Sequence, residues 1–392
     1  MRPLPWLPTP RSMKLTVLGA GAIGTAVAHD LCRREGVTRV QVCEARPIVL
    51  RHLRAHGAHP LLRTFAADAR DSATLEPILS GSTVVVSCVG PRHSPALAQM
   101  AIEAGAHFVD LGGPLNDPEL EERAAARGRW IVTGAGLAPG LANILVVKAL
   151  EAFDRATKVR VLVGDIPAEP SPPFNHRLAH SAEKLLDDYT SPVTVLRDGR
   201  VETREPLTTI EHVEVEGFGT LEAFYAGAGL GALAGRLAGS LDRLSVKVLR
   251  YPGHAAQVRF LLDLGLADST VLDVRTHLTY RDVLVRRLRQ RLGGDYEDAV
   301  ILRVDAWGVK NEAPVGLSVR LVDRFDQATG LSAMQRCTAF PAASAAWTLA
   351  MGDLTGGGHG ALETVVPVDG LLADLADRGI TVGYHEAEPL PA

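Results

Sequence analysis

The chain has 392 residues, more than one ordinary core accommodates, and a prior of roughly 150 residues per domain points to two or three units, of which two is the expectation. With 46% hydrophobic and 22% charged residues the composition is that of a soluble globular protein with a sizeable core, which excludes a disordered chain. The formal net charge of −4 and the scattered basic residues leave no electrostatic footprint for nucleic acid or an anionic membrane.

Residues 1–12 are proline-rich and lack the continuous apolar stretch of a signal peptide, so they read as a disordered extension outside the fold. Four cysteines, Cys32, Cys43, Cys88 and Cys337, form no CxxC pair. Buried thiols in a reducing, cytoplasmic setting fit them best. The nearest mimic of a membrane span is Ala223–Leu241, where Gly227, Gly231, Gly235 and Gly239 recur every fourth residue. That stretch is weakly hydrophobic and carries Arg236, and is expected to be a tightly packed or irregular piece of a soluble domain.

From Lys14 to Val132 short apolar runs alternate with helical patterns. Strands are expected at Lys14–Leu18, Arg39–Cys43, Leu62–Ala66, Thr83–Cys88, His107–Val109 and Trp130–Val132, with helices between them at Ala22–Arg34, Ile48–Ala55, Pro95–Ala104 and Pro118–Arg127. This βαβ rhythm predicts a doubly wound parallel sheet, a Rossmann domain over residues 13–140.

The first strand runs straight into Gly19-Ala-Gly21-Ala22-Ile23-Gly24. Gly19 permits a tight turn, Gly21 lets backbone approach a pyrophosphate, and Gly24 lets the helix pack on the strand, while the free amides of that helix meet the phosphates. Glu44 ends the second strand twenty residues after Gly24, where a carboxylate can bind the ribose hydroxyls. It favours NAD; Arg46 can instead pair with a 2′-phosphate, so NADP stays open. Cys88, Val89, Gly90 and Pro91 close the fourth strand at the carboxyl edge, where backbone can approach the nicotinamide ribose, and Asp68 after the third strand is a candidate for the adenine.

After the loop Gly134–Gly140 and an apolar helix at Leu141–Ala152, strand-like runs appear at Lys158–Val163, Val193–Leu196, Leu244–Leu249, Val300–Asp305 and Leu317–Val322, separated by glycine-rich and proline-rich turns. Few helical crossovers separate them, which predicts an inserted α+β domain with a mixed or antiparallel sheet over 141–340, for substrate and dimerisation. The remaining segment, 341–392, is expected to pack back on the Rossmann domain with helices at Ala342–Met351 and Leu371–Asp377. Gly356–Gly360 lacks the Lys-Ser/Thr ending of a P-loop and reads as a flexible loop.

Together the fingerprint Gly19–Gly24, Asp110-Leu-Gly-Gly113, Gly136–Gly140, Gly164-Asp-Ile-Pro167, Leu185–Tyr189, Leu221–Phe224 and Arg250-Tyr-Pro-Gly-His254 resemble the saccharopine dehydrogenase-like family over essentially everything after Met13. The resemblance implies NAD(P)-dependent oxidation of a C–N bond in lysine or a lysine adduct. It departs from lysine-acting members at Gly134, where an acid is usual, and over Phe174–His180, where aromatic residues are.

Such chemistry needs a nitrogen lone pair, whereas a free lysine amine, with a pKa near 10.4, is protonated at neutral pH. A histidine base is the natural device, and His254 and His176 are the two candidates. Arg250 is the candidate for the substrate carboxylate, Asp110 and Glu222 for its ammonium, and Tyr189 for a hydrogen bond at the pocket wall. The paired histidines His52 with His56 and His176 with His180 lack the glutamate and third ligand of a zinc site, so no metal is expected. Three readings stay open: a dehydrogenase of the lysine ε-amine, a saccharopine-type dehydrogenase, and a redox-sensing protein that binds the nucleotide without turnover. The partners expected are a small amino-acid substrate and a second copy of the chain.

Overall fold

A computed structural model describes residues 13–387 apart from 58, 114, 180, 228 and 295, so the 1–12 extension and His180 lie outside the described residues, as does the side chain of His56. The contact pattern divides the chain into a unit made of 1–140 with 338–375, and a second made of 141–337 with 376–392.

The first unit runs β1 (Met13–Leu18), α1 (Ala22–Leu31), β2 (Val37–Glu44), α2 (Pro47–His56), β3 (Leu62–Ala66), α3 (Ser72–Leu79), β4 (Val84–Ser87), α4 (Ser94–Glu103), β5 (His107–Asp110), α5 (Pro118–Ala126) and β6 (Trp130–Thr133). β4 and β5 are buried throughout and β2 from Val40 onwards, which is why these stretches are largely apolar runs rather than alternating ones. Helix α3, not anticipated from the sequence, starts where Asp71 accepts from the Thr74 amide and tolerates Pro77. One core cluster gathers Leu75, Leu79, Leu97, Ile102, Phe108, Leu120 and Ile131 from α3, α4, β5, α5 and β6. Each such large side chain, fully buried, stabilises the fold by about 1.5–3 kcal/mol.

The second unit holds α6 (Leu141–Leu150), β7 (Arg155–Pro167), α7 (Ala182–Thr190), β8 (Val193–Arg197), β9 (Arg200–Arg204), β10 (Glu211–Val215), β11 (Gly219–Phe224), α8 (Leu233–Leu237), β12 (Arg243–Arg250), α9 (His254–Asp263), β13 (Val271–Asp273), β14 (Leu278–Thr279), α10 (Tyr280–Leu292), β15 (Asp298–Lys310) and β16 (Ala313–Arg324). The unit boundary then falls inside α11 (Ala333–Met351), and the chain finishes with β17 (Gly358–Ala361), α12 (Leu362–Val365), α13 (Val368–Ala376) and β18 (Gly383–Glu386).

The first sheet is parallel in the order β17-β6-β5-β4-β1-β2-β3. The second is mixed, with β10-β11-β12-β7-β15-β16-β18 on its main path; β12 and β7 are parallel and their neighbours antiparallel. The fold class is therefore the one expected, a doubly wound sheet with an inserted α+β unit. Segment Ala223–Leu241 is irregular, with Gly227, Gly229, Gly231 and Gly239 at positive φ around the single short helix α8, and no helix among the described residues is long and apolar enough to cross a membrane.

Two expectations for the carboxyl-terminal segment need correction. The glycine run is not a flexible loop: Gly358–Ala361 pairs in parallel with Trp130–Thr133 as an edge strand of the first sheet. Its glycines serve close approach, since a Cβ on Gly357 would stand 2.8 Å from both the amide nitrogen and the carbonyl oxygen of Arg129. Nor does all of 341–392 belong with the first unit, because Gly383–Glu386 pairs with Leu317–Arg320 at an edge of the second sheet.

Candidate active site

In the first unit the glycine fingerprint forms an open cradle. Gly21 caps α1 in extended conformation, and as a glycine it places no side-chain cap over the start of the helix. A Cβ on Gly21 would meet nothing within 4 Å, whereas one on Gly24 would lie 1.8 Å from the Gly19 carbonyl oxygen. The first glycine thus leaves room above the helix end, and the second is required by the helix-to-turn contact. Both features fit a pyrophosphate at the helix N-terminus.

Glu44 is nearly buried at the end of β2, with Oε2 accepting from the Ala20 amide at 3.0 Å and Oε1 from the Arg46 amide and Nε. Burial opposes its charge, but the bonds from Arg46 and Ala20 prevail and hold the carboxyl below its ordinary range. The carboxylate is thus fixed to the fingerprint turn, and Arg46 already has a partner. Ala22 and Ile23 open α1, and Cys88, Val89, Gly90 and Pro91 follow β4, with the Cys88 amide bonded to the Leu18 carbonyl. Burial, reinforced by Asp110, pushes the Cys88 thiol well up, so it is no thiolate nucleophile. Asp68 is bound to Arg70 by two side-chain hydrogen bonds in an exposed turn.

Asp110 ends β5, 1% exposed, beside Ser87 of β4 in the paired register. Among the described residues no polar atom meets strict hydrogen-bond geometry with its carboxyl oxygens. Burial raises its pKa, and the nearby Ser94 and Ser87 hydroxyls and the Gly112 and Leu111 amides only partly offset that.

In the second unit four predicted residues come together. The Tyr189 hydroxyl lies 2.7 Å from His254 Nε2, and Arg250 Nε donates to the same hydroxyl at 3.2 Å. His254 Nδ1 is 2.8 Å from the Phe174 carbonyl, which only accepts, so Nδ1 carries the proton and Nε2 accepts from Tyr189. The His176 ring packs edge-on against His254 with centroids 5.2 Å apart. Arg250 forms an ion pair of 2.5 Å with Asp165 at the end of β7.

This arrangement revises three expected roles. His254 cannot be a base poised near neutrality, because burial, then Arg250, lowers it to about 3. Burial also disfavours charge on Arg250, but Asp165 and Tyr189 outweigh it and the net shift is upward. Arg250 therefore arrives already balanced by a carboxylate the sequence reading did not single out, although Asp165 stood in the quoted Gly164–Pro167 motif. Glu222 caps α9: Oε2 accepts from the Gly253 amide at 3.1 Å and Oε1 from the Ala255 amide at 2.6 Å, which gives it a helix-capping role that the sequence reading did not assign.

Residues 15–131 match the saccharopine dehydrogenase NADP binding domain, and residues 136–380 match the saccharopine dehydrogenase C-terminal domain. The chain belongs to the saccharopine dehydrogenase family. Its first unit is accordingly an NAD(P)-binding domain of that family. It is 21% identical over 196 residues to saccharopine dehydrogenase [NADP(+), L-glutamate-forming] of Saccharomyces cerevisiae, covering 48% of this chain and 43% of the relative. It is 22% identical over 151 residues to carboxyaminopropylagmatine dehydrogenase of Synechocystis, covering 35% of this chain and 38% of the relative. The chain thus spans less than half the length of these curated relatives. The solved apo saccharopine dehydrogenase (L-Glu forming) of Saccharomyces cerevisiae superposes with a TM-score of 0.79 at 17% identity, covering 96% of this chain and all of that one.

Among the described residues no group of His, Cys, Asp or Glu is arranged to hold a metal ion. The family's second domain contributes two further residues that no spacing revealed. Tyr296 is half-buried, and its hydroxyl is pushed well up by desolvation and by Asp165. Phe174 sits at φ 65° and supplies the carbonyl that sets the His254 tautomer.

Proposed function

We propose that the chain is an NAD(P)-dependent dehydrogenase that oxidises the C–N bond of an amino-acid amine, at the ε-amine of lysine or of a lysine adduct, in the manner of L-lysine 6-dehydrogenase. The observation that carries this reading is membership of the family through both of its domains together with the buried Asp110 at the carboxyl edge of the nucleotide-binding sheet. The nicotinamide would supply the hydride acceptor, held by Gly19–Gly24 with Glu44 on the ribose.

The protein's own contribution is proton handling and charge placement. A protonated amine must lose its proton before hydride leaves the adjacent carbon. A carboxyl whose pKa burial raises is a stronger base than an exposed one, which suits it to take that proton. Tyr189, raised to about 12, and His254 stay neutral and form a directed chain, Arg250 to Tyr189 to His254 to the Phe174 carbonyl. Within the second unit that chain is an oriented, uncharged network rather than a base. A second reading is a saccharopine-type dehydrogenase, favoured by the similarity to a saccharopine dehydrogenase and to a carboxyaminopropylagmatine dehydrogenase.

Reduction of NAD and NADP at the nicotinamide absorbance, with lysine, ornithine, saccharopine and carboxyaminopropylagmatine supplied in turn, separates these. Turnover of lysine supports the first reading, and turnover of an adduct but not lysine supports the second. No reduction with any amine overturns both and leaves a protein that binds the nucleotide without turnover. Asp110→Asn is expected to lower kcat by about 10²–10⁴-fold while nucleotide affinity stays unchanged; an unaltered kcat removes Asp110 from the reaction.

A further inference from the structure

The second unit contains a concavity of about 600 Å³ that the amine chemistry does not use, lined by Lys158, Arg160, Arg197, Arg204, Arg243 and Lys247. Strand pairing assembles it: Lys158 stands opposite Arg243 and Arg160 opposite Ser245 in the β7–β12 ladder. Side chains alternate along a strand, so Lys158 and Arg160 face the side of the sheet away from Asp165, and Arg243 and Lys247 the side away from Arg250. At about 3.3 Å per residue, Arg160 and Asp165 are also roughly 16 Å apart along β7. The concavity is therefore on the other face of the sheet from the Tyr189–His254 chain, and towards its other end.

Its charge is out of balance. Against six cations the lining holds one carboxylate, Glu211, in a chain whose formal net charge is −4. Glu211 is taken by Lys247 at 3.2 Å, Arg160 is committed to Asp305 at 2.7 Å, Arg204 is paired with Glu202 at 3.2 Å and Arg197 with Asp198 at 3.9 Å, which leaves Lys158 and Arg243 as the uncompensated pair. Among the described residues neither Lys158 nor Arg243 has a carboxylate oxygen within ion-pair distance; Lys158 instead lies 5.1 Å over the Trp307 ring. Lys247 is held over Tyr225 in the same way, at 5.1 Å. Burial first, then the charges of Arg160 and Arg243, lower the pKa of Lys158, and the opposing charge of Glu211 only partly offsets them.

Uncompensated cations gathered in a walled concavity focus positive potential into it. The volume is that of a small-molecule site, and the aromatic rings under two of the ammonium groups hold them in place before any ligand arrives. We propose that this concavity binds a small multivalent oxyanion, a pyrophosphate-bearing or polycarboxylate molecule, with Lys158 and Arg243 as its principal partners.

Titration calorimetry of the full chain with inorganic pyrophosphate and, separately, citrate tests this and distinguishes the two sources. At least one is expected to bind, with affinity falling about tenfold in the double variant Lys158→Ala with Arg243→Ala and falling again as salt rises from about 50 to 200 mM. The variant is also expected to keep a Tm equal to or above that of the unaltered chain without anion, because it removes repulsion, and to bind NAD(P) normally. Pyrophosphate held instead by the Gly19–Gly24 cradle would bind the variant unchanged, and that result overturns the proposal. So does the absence of binding by either anion, or an equal loss in the exposed-residue control Arg286→Ala.

Discussion

At the level of single residues, burial decides which groups are charged. His254 has a folded pKa of about 3 against an ordinary 6.5, so the unfolded chain binds a proton that the folded chain refuses. The contribution of its neutral form is fully present above pH 6.5 and is lost as the pH falls towards 3, by up to about 1.4 kcal/mol per pH unit in that window. His254→Gln keeps an acceptor for Tyr189 but forfeits the bond to the Phe174 carbonyl. It is expected to be the less stable protein at pH 7, with the gap to the unaltered chain closing as the pH drops from 6.5 to 4.5. Urea unfolding at several pH values measures this, and a gap that does not change with pH would show that His254 does not refuse a proton in the folded state. The same burial explains why sequence spacing misassigned it: histidine suggests a base near neutrality, but nothing in Arg250-Tyr-Pro-Gly-His254 reveals that α7 and β11 close over the ring through Tyr189 and Phe224.

At the level of elements, two glycines three apart carry different loads. Gly24→Ala would drive a methyl to 1.8 Å from the Gly19 carbonyl oxygen, so α1 must lift from the turn, at a cost of about 1–3 kcal/mol or more. Gly21→Ala meets no atom within 4 Å at a φ of −64°, and stability is expected to change by less than about 0.5 kcal/mol. Its methyl nevertheless fills the space through which backbone meets a pyrophosphate, and NAD(P) affinity is expected to fall at least about tenfold. Thermal unfolding paired with nucleotide titration checks both, and equal loss of stability in the two variants would refute the distinction. These glycines were legible because strand, turn and helix follow one another locally. Partnership between distant segments was not: β17 presents the same glycine-rich composition, and only its pairing with β6 makes it a strand. Asp165 and Phe174 were hidden for the same reason, since their partners Arg250 and His254 lie some eighty residues away in sequence.

At the level of the whole molecule, both sheets wait for the end of the chain. Return segment 338–375 is tied to the turn after α1 by Arg34 pairing with Asp374, a carboxylate to which Ser344 also donates at 2.5 Å, and by Trp347 Nε1 donating to the Glu35 carbonyl at 3.1 Å. It also supplies β17, whose loss would leave β6 with an open edge of unpaired amides and carbonyls. Contacts spanning some three hundred residues close late, so the nucleotide-binding unit stays incomplete during most of synthesis. Ending the chain after Cys337 is therefore expected to abolish stabilisation by NAD(P), even though every glycine and acid of the cofactor cradle is retained. Ending it after Ala376 keeps β17 while removing β18 from an edge of the second sheet together with the buried Ile380 and the Arg378 carbonyl that accepts from Arg336, and the Tm rise with nucleotide should persist. Melting curves of the two truncations with and without NAD(P) make the comparison, and a nucleotide-dependent rise in the shorter chain would show that the cradle folds without its carboxyl-terminal strand.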